Sequence, residues 1–130
     1  MTPDQLSGLT LADLLTILYP GYSWPSYAVS IDSNDPNGQV ITGWNIPDTP
    51  QPTDAELIAA APGAVNTRAL RLLQSQAHDA LVASNQQIFT FLEQASDAVP
   101  QAWKDYRASL RAILTQTQGD VNQTLPVQPS

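Results

Sequence analysis

Residues Thr67 to Gln116 read TRALRLLQSQAHDALVASNQQIFTFLEQASDAVPQAWKDYRASLRAILTQ, and this stretch decides the fold. Leu70, Leu73, Ala77, Leu81, Ser84, Ile88, Phe91 and Ala95 follow one another at steps of three or four, the spacing that keeps one helix face turned towards a partner. A short break at Ser96-Asp97-Ala98-Val99-Pro100 comes next, and Val99, Trp103, Tyr106, Leu110, Ile113 and Thr117 then repeat the pattern. Two such faces joined by a few residues predict an antiparallel helical hairpin. The first helix, Thr67 to Ala95, exceeds the second, Ala98 to Gln116, by about nine residues, an overhang of roughly 14 Å at 1.5 Å per residue. The overhang carries Arg68, Leu70, Arg71, Leu72 and Leu73, whose apolar members need cover. Val82 and Phe89 lie off the main stripe, so the long helix shows apolar surface on a second side.

Upstream of this pair the pattern changes. Thr2-Pro3-Asp4-Gln5 has a capping threonine, a proline in the first turn and a glutamine three residues on, which predicts a helical turn that Gly8 ends. Thr10 caps a second helix, on which Leu11, Leu14, Leu15 and Leu18 line one face until Tyr19-Pro20-Gly21 stops it. Tyr27, Val29 and Ile31 alternate with small residues, and Val40-Ile41-Thr42-Gly43-Trp44 is rich in β-branched residues, so two strands are expected. Between them Asp32-Ser33-Asn34-Asp35-Pro36-Asn37-Gly38 is dense in turn formers. Two strands alone are marginal in water, so the leucine helix, or a third strand from another chain, should buttress them. Pro47, Pro50 and Pro52 make residues 45–52 an extended connector. Thr53-Asp54-Ala55-Glu56 caps a turn or two of helix that Pro62-Gly63 should end, and Asn66 or Thr67 then caps the long helix. After Gln116 no helical period continues, and Pro126 and Pro129 leave the tail extended or disordered if alone. The expected architecture is α+β: residues 1–62 form a helix and β-hairpin head with a proline connector, 63–118 a helical hairpin stalk, and 119–130 an extended tail.

The charge is divided unevenly. Among 130 residues the net charge is −7, which argues against a nucleic-acid partner. All five basic residues, Arg68, Arg71, Lys104, Arg107 and Arg111, lie in the hairpin, whereas residues 1–67 hold seven acids and no base. Such asymmetry favours a head that meets the stalk's arginines or a basic surface on another protein. There is no cysteine and a single histidine, His78, so disulfides and thiolate chemistry are excluded and a zinc site would need oxygen ligands. No apolar run approaches the roughly 20 residues of a membrane span, and Met1 to Gly8 is too polar for a signal peptide. A soluble protein made in a cytoplasm, with no membrane partner, is the expectation.

Sharper chemistry finds little support. Asp32 to Gly38 has calcium-loop residue types, but Pro36 sits where a ligand would be and position twelve is Gly43 rather than glutamate, so an ordinary turn explains it. Asp54 and Glu56 are accounted for by helix capping. No serine or threonine has a second histidine to serve it, and no glycine-rich phosphate loop is present. No catalytic residue, metal ligand or cofactor is therefore assigned. Tyr19, Tyr22, Trp24, Tyr27 and Trp44 crowd the head, either as a miniature core or as rings that stack a sugar. Trp103, Tyr106, Leu110 and Ile113 read as core, while Lys104, Arg107 and Arg111 make a stripe on another flank, tolerated when solvated and stabilised when a carboxylate partner arrives. The candidate partner-binding residues are Arg68, Arg71, Leu72, Val82, Phe89, Lys104, Arg107 and Arg111.

Val99 to Ile113 resembles the C-terminal signature of bacteriophage tail-fibre assembly (tail assembly chaperone) proteins, W-x-x-Y-R-x-x-L-R-x-I, with Trp103, Tyr106, Arg107, Leu110, Arg111 and Ile113 in place. Trp44-Asn45-Ile46-Pro47 followed by Gln51-Pro52-Thr53-Asp54-Ala55-Glu56-Leu57 is similar to the tryptophan, proline connector and P-T-x-x-E-L turn of small phage tail proteins, and Leu125-Pro126-Val127-Gln128-Pro129 to their proline-rich endings. After Ile113 such chains continue with an acidic residue, a loop and a final tryptophan-proline; here Leu114-Thr115-Gln116 follows, with no late tryptophan. The resemblance implies a phage tail protein that binds the tail fibre or a baseplate protein without catalysis, as assembly chaperone or retained adaptor. It implies the host cytoplasm during assembly, or the virion tail for a retained component. A homo-trimer follows by analogy with trimeric fibres. A glycan-binding head module and an unrelated bacterial adaptor are the alternatives.

Overall fold

The computed structural model describes residues 1–94 and 99–129. A 3-10 turn, Pro3–Leu6, precedes helix α1 (Leu11–Leu18), strands β1 (Tyr27–Asp32) and β2 (Asp35–Trp44), and helices α2 (Asp54–Gln94) and α3 (Gln101–Thr115). The α+β class expected from the sequence is the observed one. Contacts divide the chain into two compact units, Met1–Arg68 and Ala69–Ser130, with the boundary inside α2. Among the described residues no helix is long and apolar enough to cross a membrane.

The first unit is built on leucine. Thr10 Oγ1 accepts the Asp13 N–H at 3.1 Å and so caps α1, satisfying one of the donors a helix start leaves orphaned. From this start Leu11, Leu14 and Leu15 fall on one face and are buried with Leu6 and Leu9. The face packs on Tyr27 and Ile46 and on the half-buried Val29, Ile41 and Trp44, so α1 does buttress the hairpin. Leu57, Ala61 and Ala64 complete the same core from the first turns of α2.

The strands pair antiparallel, with Tyr27 opposite Trp44, Ala28 opposite Gly43, Val29 opposite Ile41 and Ser30 opposite Val40. The loop is shorter than the turn formers suggest. The register jumps from Ile31 opposite Gln39 to Asp32 opposite Asp35, which leaves Pro36, Asn37 and Gly38 standing out as an enlarged bulge on β2 rather than in the turn. Pro36 is tolerated because no ladder bond is asked of it there. Asp32 and Asp35 each turn a carboxylate oxygen onto a backbone N–H two residues on, at Asn34 and Asn37, the Asx-turn use of aspartate. On the far edge of β2 the Met1 ammonium donates to the Gln39 carbonyl at 2.7 Å and the Gln39 N–H donates to the Met1 carbonyl at 2.8 Å. Gly38 permits that approach: a Cβ there would stand 3.3 Å from the Met1 oxygen.

Pro62 and Gly63 do not stop the helix. Thr53 caps it as expected, Oγ1 accepting the Glu56 N–H at 3.2 Å, but α2 then runs unbroken through Pro62 to Gln94. Asn66 and Thr67 are consequently helix-interior residues, and Thr67 Oγ1 donates back to the Gly63 carbonyl instead of capping. Proline costs an interior helix its i−4 bond; the carbonyl left over is that of Ile58, an exposed residue at which water can take the bond. Opposite it, Leu57, Ala61 and Ala64 bury a face that only a continuous helix can hold together.

In the second unit Leu73 and Ala77 of α2 pack with Trp103, Tyr106, Leu110 and Ile113 of α3. Gln74 Nε2 donates to the carbonyls of Ile113 and Gln116, whereas Phe91 meets Trp103 edge-on at 5.9 Å. Contacts that run forward on α2 thus run backward on α3, and the helices are antiparallel. The stripe assigned to α2 is buried at Leu70, Leu73, Ala77 and Ser84 and half-buried at Leu81, Ile88 and Phe91; its last member, Ala95, and the break at Ser96-Asp97-Ala98 lie outside the described residues. Helix α3 ends at Thr115, so Thr117, placed on the stripe by spacing, is exposed beyond it. The tail forms no regular element but does not stand alone: Leu125 packs against the hairpin core, and Gln116 and Gln123 exchange side-chain hydrogen bonds at 2.6 and 2.9 Å.

Candidate partner-binding groove

Helix α3 fixes its cations by fixing its core. With Trp103, Tyr106, Leu110 and Ile113 turned inward, Lys104, Arg107 and Arg111 at i, i+3 and i+7 must share a flank. Arg107 is the inner member and half-buried. Its guanidinium Nη1 donates to Ser84 Oγ and, at 2.9 Å, to Asn85 Oδ1 across the hairpin. Ser84, which is buried, donates its own hydroxyl hydrogen bond to the Leu81 carbonyl at 2.7 Å, so its lone pair is free for Arg107. Lys104 and Arg111 are exposed, and among the described residues no carboxylate lies within ion-pair distance of any of the three. Asp105, on another flank of α3, instead accepts from Gln101.

Between the helices this flank opens a groove lined by Ile88, Val99, Lys104, Arg107 and Arg111. Residues three and four apart on a helix stack on one face. Leu92 follows Ile88 by four, and Val82 and Phe89 bracket Asn85, the residue Arg107 touches. All three are more than half exposed, Phe89 at 65%. The hairpin therefore sets Ile88 and Val99, with Leu92 one turn on from Ile88, beside a cationic row about two turns long.

Of the residues singled out in the sequence, Lys104, Arg107 and Arg111 line the groove, whereas Val82 and Phe89 are exposed on α2 about 120° and 100° round the helix from Ile88 and do not line it. Arg68, Arg71 and Leu72 lie elsewhere: they are exposed towards the middle of α2, more than fifteen residues before Ile88. Ile88 and Val99 were expected only as core, and Leu92 was missed, although its spacing from Ile88 is the signal that finds it. The aromatic cluster of the head divides. Tyr19 and Tyr27 pack on Trp44 at 5.1 and 6.1 Å, but Trp24 is 78% exposed and lies outside the core. Among the described residues no group of side chains is arranged to hold a metal ion, and no buried polar side-chain atom lacks a partner.

Fold and groove define a small α+β protein with a cation-lined groove on a helical hairpin. Residues 11–69 match the family model described as XkdW protein, a phage-associated, PBSX-like family, which supports a bacteriophage protein. No curated protein and no solved structure matches the chain. The matched span lies almost wholly in the first unit, whereas the W-x-x-Y-R signature lies in the second.

Proposed function

We propose that this chain is a bacteriophage tail protein that acts by binding, not catalysis, and that its partner is the tail fibre or the baseplate protein to which the fibre attaches. The observation that carries the reading is the groove that sets Ile88 and Val99 beside Lys104, Arg107 and Arg111, with the exposed Leu92 one turn on from Ile88, since exposed apolar surface rimmed by charge marks interaction sites. The tail-fibre assembly signature falls on the helix that supplies the cationic row. The phage-associated family match adds the setting. As an assembly chaperone the protein would cover the immature fibre in the host cytoplasm and leave; as an adaptor it would stay in the virion, with a trimeric fibre setting a stoichiometry of three.

Affinity purification from phage-producing cells, with mass spectrometry of purified particles, tests this. A fibre or baseplate protein should co-purify. Presence in particles selects the adaptor, while absence together with misassembled fibres on deletion selects the chaperone. Recovery of no tail component overturns the reading.

The exposure of Trp24 favours one second reading, a glycan-binding head. Trp24→Ala should change stability by no more than about 0.5 kcal/mol, as expected of a surface site, and should abolish glycan-array binding by the purified protein. An array with no wild-type signal removes this reading.

A further inference from the structure

We infer that the α2–α3 groove receives an acidic amphipathic helix of another protein. The inference rests on the partner-binding reading and names the chemistry of the partner. Three features of the groove converge. Its floor is apolar, from Ile88 and Val99, with the exposed Leu92 one turn on from Ile88. One wall is a row of three cations that meet no carboxylate among the described residues. The cations repeat at one-turn intervals over seven residues, about 10 Å at 1.5 Å per residue, and Ile88 and Leu92 stand one turn apart, so an occupant must present anionic and apolar groups at that interval.

A helix does this when it packs along the pair, ridges into grooves, as the third member of a bundle. An extended strand would repeat its side chains every two residues, about 6.6 Å apart, and would match only some of these positions. Arg107 is already held by Ser84 and Asn85, so its remaining donors are pre-oriented and little side-chain freedom is lost when a carboxylate arrives. Lys104 and Arg111 flank it by three and four residues. The occupant thus needs Glu or Asp at i, i+3 or i+4, and i+7, with Leu, Ile or Met on the adjoining row. Nucleic acid would satisfy the cations but not the apolar floor, and it would meet a chain of net charge −7.

The test uses the full-length protein, labelled with nitrogen-15, and three probes. The first is an 18-residue amidated helical peptide with leucines at i, i+3, i+4 and i+7 and glutamates on both flanking rows. The second is the same peptide with lysine for glutamate, and the third is a single-stranded oligonucleotide. The glutamate peptide should saturate and shift the amides of Ile88, Leu92, Lys104, Arg107 and Arg111. The lysine peptide should bind at least tenfold more weakly, and K104E/R111E, two exposed positions whose exchange leaves the core intact, should lose at least tenfold while keeping the dispersed spectrum of the wild type. Equal binding of the lysine peptide, saturation by the oligonucleotide alone, shifts confined to other surfaces, self-association in place of peptide binding, or no saturation at millimolar glutamate peptide each overturn the inference. The K104E/R111E protein separates the two levels. If it still co-purifies with a tail component, the tail-protein reading stands and the groove inference falls. If the wild type binds the glutamate peptide but no tail component, the reverse holds.

Discussion

Thr10 does the work of one hydrogen bond, yet the leucine face of α1 depends on where that bond starts the helix. Thr10→Ala removes the acceptor for the Asp13 N–H and should lower stability by about 1 kcal/mol in urea denaturation. The cap, and the burial of Leu11, Leu14 and Leu15, were legible because threonine caps and leucine spacing are local signals. Ser84 was legible as a stripe residue but not as an acceptor for Arg107, because that bond joins residues 23 apart and no local pattern encodes it. Trp24 could not be separated from Trp44 by type: both are large rings near tyrosines, and only the packing of Tyr19 and Tyr27 on one of them decides which is core.

At the scale of elements the longest departure from expectation is α2. Proline and glycine at 62 and 63 are local stop signals, and a reading weighted to local signals divides the helix there. The overriding evidence was also in the chain, since Leu57, Ala61 and Ala64 keep helical spacing across the proline. Pro62→Ala restores a hydrogen-bond donor to an interior turn and should stabilise the protein by about 2 kcal/mol, less than the roughly 3 kcal/mol of an interior proline because the unfolded chain regains freedom. A rise in thermal midpoint measures it; a fall would mean that the bend proline imposes is needed by the core around Leu57. The hairpin loop erred in the other direction. Pro36 and Gly38 look like turn residues, but they serve a bulge and the close approach of Met1 to β2, a contact between positions 38 residues apart.

For the whole molecule, the two cores should respond separately. Leu14 and Leu110 are both completely buried, one in each core, and either exchanged for alanine should cost about 2–5 kcal/mol. The two tryptophans placed at those cores report which one is disturbed. Leu110→Ala should move the indole N–H resonance of Trp103 and spare that of Trp44, whose N–H is held by the Thr49 carbonyl at 2.8 Å; Leu14→Ala should do the opposite. Loss of both signals in either variant would show that the cores unfold as one. The charge division, all bases in residues 68–111 and seven acids before them, was plain from the chain, as was the cationic row. The groove beside that row was not, because it needs both helices in register.

The course of α2 across the unit boundary has a consequence for the order in which the protein is made. Synthesis runs from the N-terminal side, and by Val65 every residue of the first core has appeared. Starting a helix is its costly step and lengthening it is cheap, with initiation penalised by a factor of roughly a thousand. A first core that folds on Leu57, Ala61 and Ala64 leaves behind an initiated helix, onto which the residues as far as Gln94 need only be added. The second unit thus begins folding on a template laid down by the first, and the nascent chain has no need to start its long helix twice.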